Sequence, residues 1–321
     1  MSEQLPGLHH MTAICGDAQA NVDFYVGVLG LRLVKKTVNF DDPGTYHLYY
    51  GDGLGNPGSI LTFFAWPGAY AGRHGLGQVT TTALAVPEGS LDWWAERLAQ
   101  HGIAAGERQT RFGHEVLPFL DPEGIGLELV ARADVPEGAA WPESPVPAKY
   151  AIRRMDGVTL TVARREATET MLTGVLGFTL VGEEGDRVRF TAAGQGESGS
   201  IADIVVAPGA PRGSLGVGVV HHIAWRTPDD ATQLLWQQRV HDVGRSVSPV
   251  MDRDYFHSIY FHEPGGVLFE IATVPPGFTV DEPAESLGTN LCLPQWLEKD
   301  RPAIAAKLPA LHSPMDLAEA G

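Results

Sequence analysis

Short runs in which apolar and polar residues alternate recur along this chain, broken by turns rich in Gly, Pro, Asn and Asp. A period of two is the mark of a half-buried strand. It predicts strands over 10–14, 31–39, 46–50, 59–66, 79–86, 124–130, 158–163, 200–207, 219–226, 255–261 and 267–274. Helical spacing replaces it in a few places. Val22, Tyr25, Val26 and Leu29 form one stripe, with Asp17 placed as N-cap and Gly30 as C-cap. Further helices are expected over 91–101, over 229–243, and in a segment ending near Gly177.

The order of these elements repeats. Gly27-Val28-Leu29-Gly30-Leu31-Arg32-Leu33-Val34 returns as Gly174-Val175-Leu176-Gly177-Phe178-Thr179-Leu180-Val181, an offset of 147 residues. Each half divides again into strand, helix and up to three strands. The expected organisation is an N-terminal half, 1–145, with units at about 7–67 and 78–131. A C-terminal half, 146–280, has units at about 150–207 and 217–275, and a tail follows over 281–321. Pro- and Gly-rich stretches near 132–148 and 207–216 read as linkers.

Composition narrows the function classes. The chain has 321 residues, 44% apolar and 19% charged, without an apolar run long enough to span a bilayer. Its net charge of −16 argues against nucleic acid and anionic membranes as partners. Cys15 and Cys292 are the only cysteines, which excludes a disulfide framework. Residues 1–7 have neither a basic nor an apolar leader region, so a cytoplasmic location is expected.

The chemistry-bearing residues stand out when the four units are aligned. His10, Thr81, Gly157 and His222 fall at one position of the first strands; Thr62, Glu128, Asp203 and Glu270 fall together on the last strands. Units one and four supply histidine, and unit four adds Glu270. A metal held by His10, His222 and Glu270 therefore requires units one and four to share a sheet. Glu128 then reads as structural or relic. Because neighbours on a regular strand face opposite ways, His9 and His221 are expected beside the ligands rather than among them. His47, His74, His114, His257 and His262 have no support from the repeat and read as structural or exposed; His257 is the first alternative among them.

The four units resemble the βαβββ modules of the vicinal oxygen chelate superfamily, which includes glyoxalases, bleomycin-resistance proteins and extradiol dioxygenases. The resemblance spans residues 7 to about 275. It implies an α+β fold of four βαβββ modules forming two cupped mixed β-sheets. Within the superfamily the chain is most similar to the hydroquinone ring-cleaving dioxygenases. The residues that carry this are Leu8-His9-His10-Met11-Thr12, Tyr46-His47-Leu48-Tyr49-Tyr50, Gly55-Asn56-Pro57-Gly58, Val220-His221-His222, Arg253, Tyr260 and Phe269-Glu270. The tail Leu291-Cys292-Leu293-Pro294-Gln295-Trp296-Leu297-Glu298 also belongs to the pattern. That resemblance implies Fe(II), with Mn(II) as the other candidate, on His10, His222 and Glu270. It implies catalytic roles for Thr12, His221, Arg253 and Tyr260, and a small aromatic substrate opened with both atoms of O2.

Two other readings stay open at this point. One is a glyoxalase I-like isomerase or thiol transferase, against which stands Thr62, where such sites commonly present a further carboxylate. The other is a ligand-binding resistance protein, against which stand the His-His-Glu set and the four-unit length. The ring substituents, the choice between His9 and His221 as acid/base, and the oligomeric state (modules of this kind pair between chains as well as within them) are not decided by the sequence.

Overall fold

In the computed structural model, which describes residues 4–139, 141–192 and 196–314, the chain folds as four consecutive βαβββ modules. Residues 193–195 of the third expected unit and 315–321 of the expected tail lie outside the described residues. The first module holds β1 (Leu8–Cys15), α1 (Ala18–Val22), β2 (Arg32–Asn39), β3 (Asp42–Gly51) and β4 (Ile60–Ala65). The second holds β5 (Gln78–Pro87), α2 (Leu91–Gln100), β6 (Gln109–Arg111), β7 (His114–Leu120) and β8 (Gly126–Arg132). The third holds β9 (Arg154–Val162), α3 (Glu166–Thr170), β10 (Thr179–Glu184), β11 (Arg187–Thr191) and β12 (Ile201–Val206). The fourth holds β13 (Val219–Thr227), α4 (Asp230–Asp242), β14 (Met251–Asp252), β15 (Phe256–His262) and β16 (Leu268–Pro276).

Two mixed eight-stranded sheets result, and each takes one module from each half of the chain. One runs β14-β15-β16-β13-β1-β4-β3-β2 and the other β10-β11-β12-β9-β5-β8-β7-β6. Within every module the first strand lies parallel to the last. The modules join through antiparallel pairs of first strands, β1 with β13 and β5 with β9. Modules one and four therefore share a sheet, as a site of His10, His222 and Glu270 demands.

Local chemistry explains the helices and their ends. The Asp17 side chain caps α1 by accepting from the backbone N–H of Gln19 (2.9 Å) and Ala20 (3.1 Å). The chain then widens into a π turn over Asp23–Val28, where Leu29 N–H reaches Phe24 C=O, before Gly30 leaves the helix at φ +71°. The third module repeats this, with α3 running into a π turn over Met171–Val175. The sequence pattern predicts one continuous helix in each case. It also misses β6, β7, β10, β11 and β14. β6 and β10 lie at sheet edges with mostly exposed residues, so no apolar alternation marks them.

The tail straps the edge of the first sheet. Leu291 bridges to Lys36 on β2, and Val38 packs with Leu293 and Ile304, the latter from α5 (Arg301–Ala305). Beneath it Lys35, fully buried, donates to Asp281 (2.5 Å) and Glu282 (2.6 Å). No described helix is long and apolar enough to cross a membrane. Lys35→Met would leave Glu282, only 4% exposed, without its counter-charge. The cost expected is about 3 kcal/mol. Chemical denaturation should show it as a lower midpoint; an unchanged midpoint would remove the strap from the account of stability.

Candidate metal centre

Both histidine pairs sit on β-bulges. On β1, Leu8 pairs with Trp225 and His10 with Ala224, so His9 is an extra residue; on β13, Thr12 pairs with His222 and Ala13 with Val220, so His221 is extra. A bulge lets two consecutive side chains turn to one side of the sheet. His9 Nδ1 accordingly lies 2.9 Å from His10 Nδ1, and His221 Nδ1 lies 2.8 Å from His222 Nδ1. This corrects the expectation from regular alternation, which puts the members of each pair on opposite faces. The second sheet carries bulges at the equivalent residues, Thr80 on β5 and Asp156 on β9.

The bulges aim three donors at one point. His10 Nε2 lies 3.3 Å from Glu270 Oε2 and 3.4 Å from His222 Nε2, and His222 Nε2 lies 2.8 Å from the same oxygen. All three side chains are buried, Glu270 completely. Ser258 Oγ donates to Glu270 Oε1, whereas Oε2 has no partner in hydrogen-bonding geometry. A buried carboxylate oxygen left bare costs several kcal/mol unless a cation meets it.

Hydrogen bonding sets the ring tautomers toward the same end. The Thr273 carbonyl only accepts, so the His9 nitrogen 3.1 Å from it, Nε2, carries the proton. Neutral His9 then accepts at Nδ1 from His10 Nδ1–H, and His10 Nε2 keeps its lone pair. Among the described residues His221 has no such carbonyl; the tautomer in which His222 Nδ1 donates to it makes three lone pairs converge on one space, the pattern a divalent cation satisfies. Burial pushes the His9 and His221 pKa values down to about 3 and lowers that of His222, keeping these rings neutral.

His10 and His222, with Glu270 buried behind them, form the end of a cavity of about 350 Å³ that Thr12, His221, Arg253 and Tyr260 also line. All the residues expected to act together from the sequence are thus gathered here. Arg253 Nε donates to Tyr260 OH (3.2 Å), and its Nη1 lies 3.3 Å from Asp41 Oδ2 across the mouth. Phe64, Trp66 and Phe256 supply apolar wall. His257, the first alternative among the remaining histidines, is half-buried outside this cavity and pairs with Asp230 at 2.6 Å.

His47, which the repeat leaves as structural or exposed, belongs here. Its Nε2 lies 2.8 Å from Thr62 Oγ1 and its Nδ1 2.9 Å from Tyr49 OH, while Thr62 Oγ1 also meets Thr12 Oγ1 at 2.9 Å. Register makes this the counterpart of the other side of the site. Tyr49 pairs with Thr62 as Tyr260 pairs with Glu270, so His47 stands where Ser258 stands. Comparing the third strands of modules one and four would have revealed it.

The second sheet lacks the donors and neutralises its carboxylates. Arg111 lies 2.6 Å from Glu128, and Arg187 (3.0 Å) and Arg189 (2.8 Å) hold Asp203. The space left there is about 10 Å³. Glu128 is a structural ion-pair partner.

Residues 7–129 and 154–271 match the pattern of the Glyoxalase/Bleomycin resistance protein/Dioxygenase superfamily. The chain belongs to that superfamily. The Bacillus subtilis protein MhqO, provisionally named a ring-cleaving dioxygenase, is 47% identical over 304 residues, covering 95% of this chain and 96% of its own. The chlorohydroquinone/hydroquinone 1,2-dioxygenase of Sphingobium indicum is 36% identical over 304 residues, 93% of this chain and 94% of its own. The crystal structure of a Bacillus subtilis protein, provisionally a dioxygenase, superposes with a TM-score of 0.92 at 45% identity, covering 98% of this chain and 99% of that one. Glyoxalase I of Zea mays, at 18% identity and a TM-score of 0.63 over 83% of this chain and 92% of its own, shares the fold.

Two expectations follow for this superfamily member. It should bind one divalent metal per chain, measured by elemental analysis after gel filtration, and His222→Ala or Glu270→Ala should abolish that stoichiometry. Full occupancy in both variants would place the metal elsewhere. For the metal-free protein, His9 and His221 bind protons more weakly folded than unfolded, so the unfolded chain takes up more protons below about pH 6.5. Stability therefore falls on acidification. Melting at pH 5 should lie below melting at pH 7.5, and the gap should narrow in His221→Asn.

Proposed function

We propose that the protein is an Fe(II)-dependent, extradiol-type dioxygenase that opens the ring of hydroquinone-like substrates with O2. The observation that carries this is the convergence of His10 Nε2, His222 Nε2 and Glu270 Oε2 behind the buried end of a cavity of about 350 Å³, room for an aromatic ring. Two imidazoles and one carboxylate suit ferrous iron and leave coordination positions open; Mn(II) fits the same donors. When bound, the ion supplies acidity to a ring hydroxyl and a path for electrons from the ring to O2. That the enzyme is a ring-cleaving dioxygenase is supported by the relatives at 36–47% identity over nearly the whole chain.

The chain's own residues divide the remaining work. Burial opposes the Arg253 charge, but Tyr260 and Asp41 beside it raise its pKa, so it stays charged and faces phenolate. Burial raises the Tyr260 pKa, so its hydroxyl stays protonated; it accepts from Arg253 and has its own O–H to give to substrate oxygen. His221 is held neutral, and no described residue bonds its Nε2, which leaves an N–H there to donate to substrate oxygen. Thr12, bonded to Thr62, fixes the polar wall opposite. Phe64, Trp66 and Phe256 exclude water from the ring faces. Thr62 occupies the corner where a second carboxylate would serve an isomerase, and it is already bonded to Thr12 and His47.

Oxygen-electrode measurements on anaerobically Fe(II)-loaded protein should show uptake dependent on methylhydroquinone and absent in His222→Ala. Tyr260→Phe and Arg253→Met should lower kcat/KM by about 10²-fold. Iron-loaded protein that consumes no oxygen with any hydroquinone or catechol, yet isomerises a thiol adduct, would overturn the proposal.

A further inference from the structure

A second cavity, about 540 Å³, adjoins the reaction pocket, and His221, His222 and Leu268 line both. It forms where the segment joining β4 to β5 and the segment joining β12 to β13 run side by side. Gly72 N–H donates to Val217 C=O (2.8 Å) and Ser214 N–H to Arg73 C=O (2.9 Å), and the turn between β15 and β16 closes the other side. Its walls are mainly apolar, with Leu76, Val79, Val220 and Val267 facing the space. Arg212 is exposed at the rim and the His221 Nε2 is left for the ring, while Gln78 and His262 are engaged. Gln78 accepts from Gly75 N–H (3.1 Å) and donates to Ser214 C=O (3.3 Å), and His262 Nδ1 meets Gly266 C=O (3.1 Å). Leu215, 58% exposed, stands at the mouth.

We propose that this cavity takes an unbranched apolar side chain carried by the ring substrate, so that the preferred hydroquinones are alkylated. The inference rests on the ring-cleaving reading above. Pockets for drug-sized ligands run from about 300 to 1,000 Å³, so the reaction pocket, at about 350 Å³, is at the small end and takes a ring with short substituents. A bare hydroquinone leaves the second, larger cavity as water against leucine and valine. An alkyl chain from a ring held at His10, His222 and Glu270 enters past Leu268 and replaces that water. The Arg212 charge is exposed to solvent, the buried wall is leucine and valine, and the exposed Leu215 is what an emerging chain would cover.

The test is anaerobic titration calorimetry of the Fe(II)-loaded protein with methyl-, butyl- and hexylhydroquinone, followed by oxygen uptake with the same series. Each buried methylene tightens binding about fourfold, so hexylhydroquinone should bind at least tenfold tighter than butylhydroquinone. Leu76→Trp, which fills the cavity, should weaken hexylhydroquinone at least tenfold and methylhydroquinone less than twofold. Leu215→Asp, at an exposed position that tolerates a charge, should weaken the hexyl compound alone. Affinity that is flat or falls with chain length, or a Leu76→Trp loss equal for all three rings, overturns the cavity assignment. Absence of oxygen uptake with methylhydroquinone overturns the dioxygenase reading instead, and the calorimetric series still decides what the cavity binds.

Discussion

The antiparallel pairing of β1 with β13 is the constraint on which the centre depends. It sets His10 diagonally across the ladder from His222, two residues off direct register, although 212 residues separate them in the chain. The bulge at each pair then brings His9 and His221 onto the same face, where they hold the Nδ1 atoms of the ligands. Regular strands in the same register would turn His9 and His221 to the opposite face of the sheet. The ligand rings would lose the bonds that fix their tautomers.

The same scaffold built twice shows what separates a centre from a core. The second sheet has the bulges, the parallel first and last strands, and carboxylates at both equivalent positions, Glu128 and Asp203. It differs in having Thr81 and Gly157 where the first has His10 and His222, and in placing Arg111, Arg187 and Arg189 over its acids. Buried carboxylates demand positive charge. One sheet supplies it from within as guanidinium, and the other leaves Glu270 Oε2 bare for an ion.

Much of this is legible in the sequence because the modules are repeats. The alignment that sets Thr62, Glu128, Asp203 and Glu270 together is the observed register, in which they pair with Thr12, Ala83, Thr159 and Ala224. The same alignment requires modules one and four to share a sheet. What escapes it is local. A bulge adds one residue without changing the apolar pattern, so regular alternation assigns His9 and His221 to the wrong face. His47 and Ser258 are different residue types at one repeat position, and comparison of the first and last strands alone passes over them. The edge strands β6 and β10 have no buried face to write a pattern.

Anomalous diffraction from crystals grown anaerobically with Fe(II) tests the central claim most directly. The account predicts one peak per chain in the first sheet, bonded to His10 Nε2, His222 Nε2 and Glu270 Oε2. It further predicts Nδ1–Nδ1 contacts to His9 and His221 that survive metal binding. A peak instead at Asp281, Glu282 and Cys292, where Lys35 already supplies the cation, or among Glu128 and Asp203 of the second sheet, would contradict it.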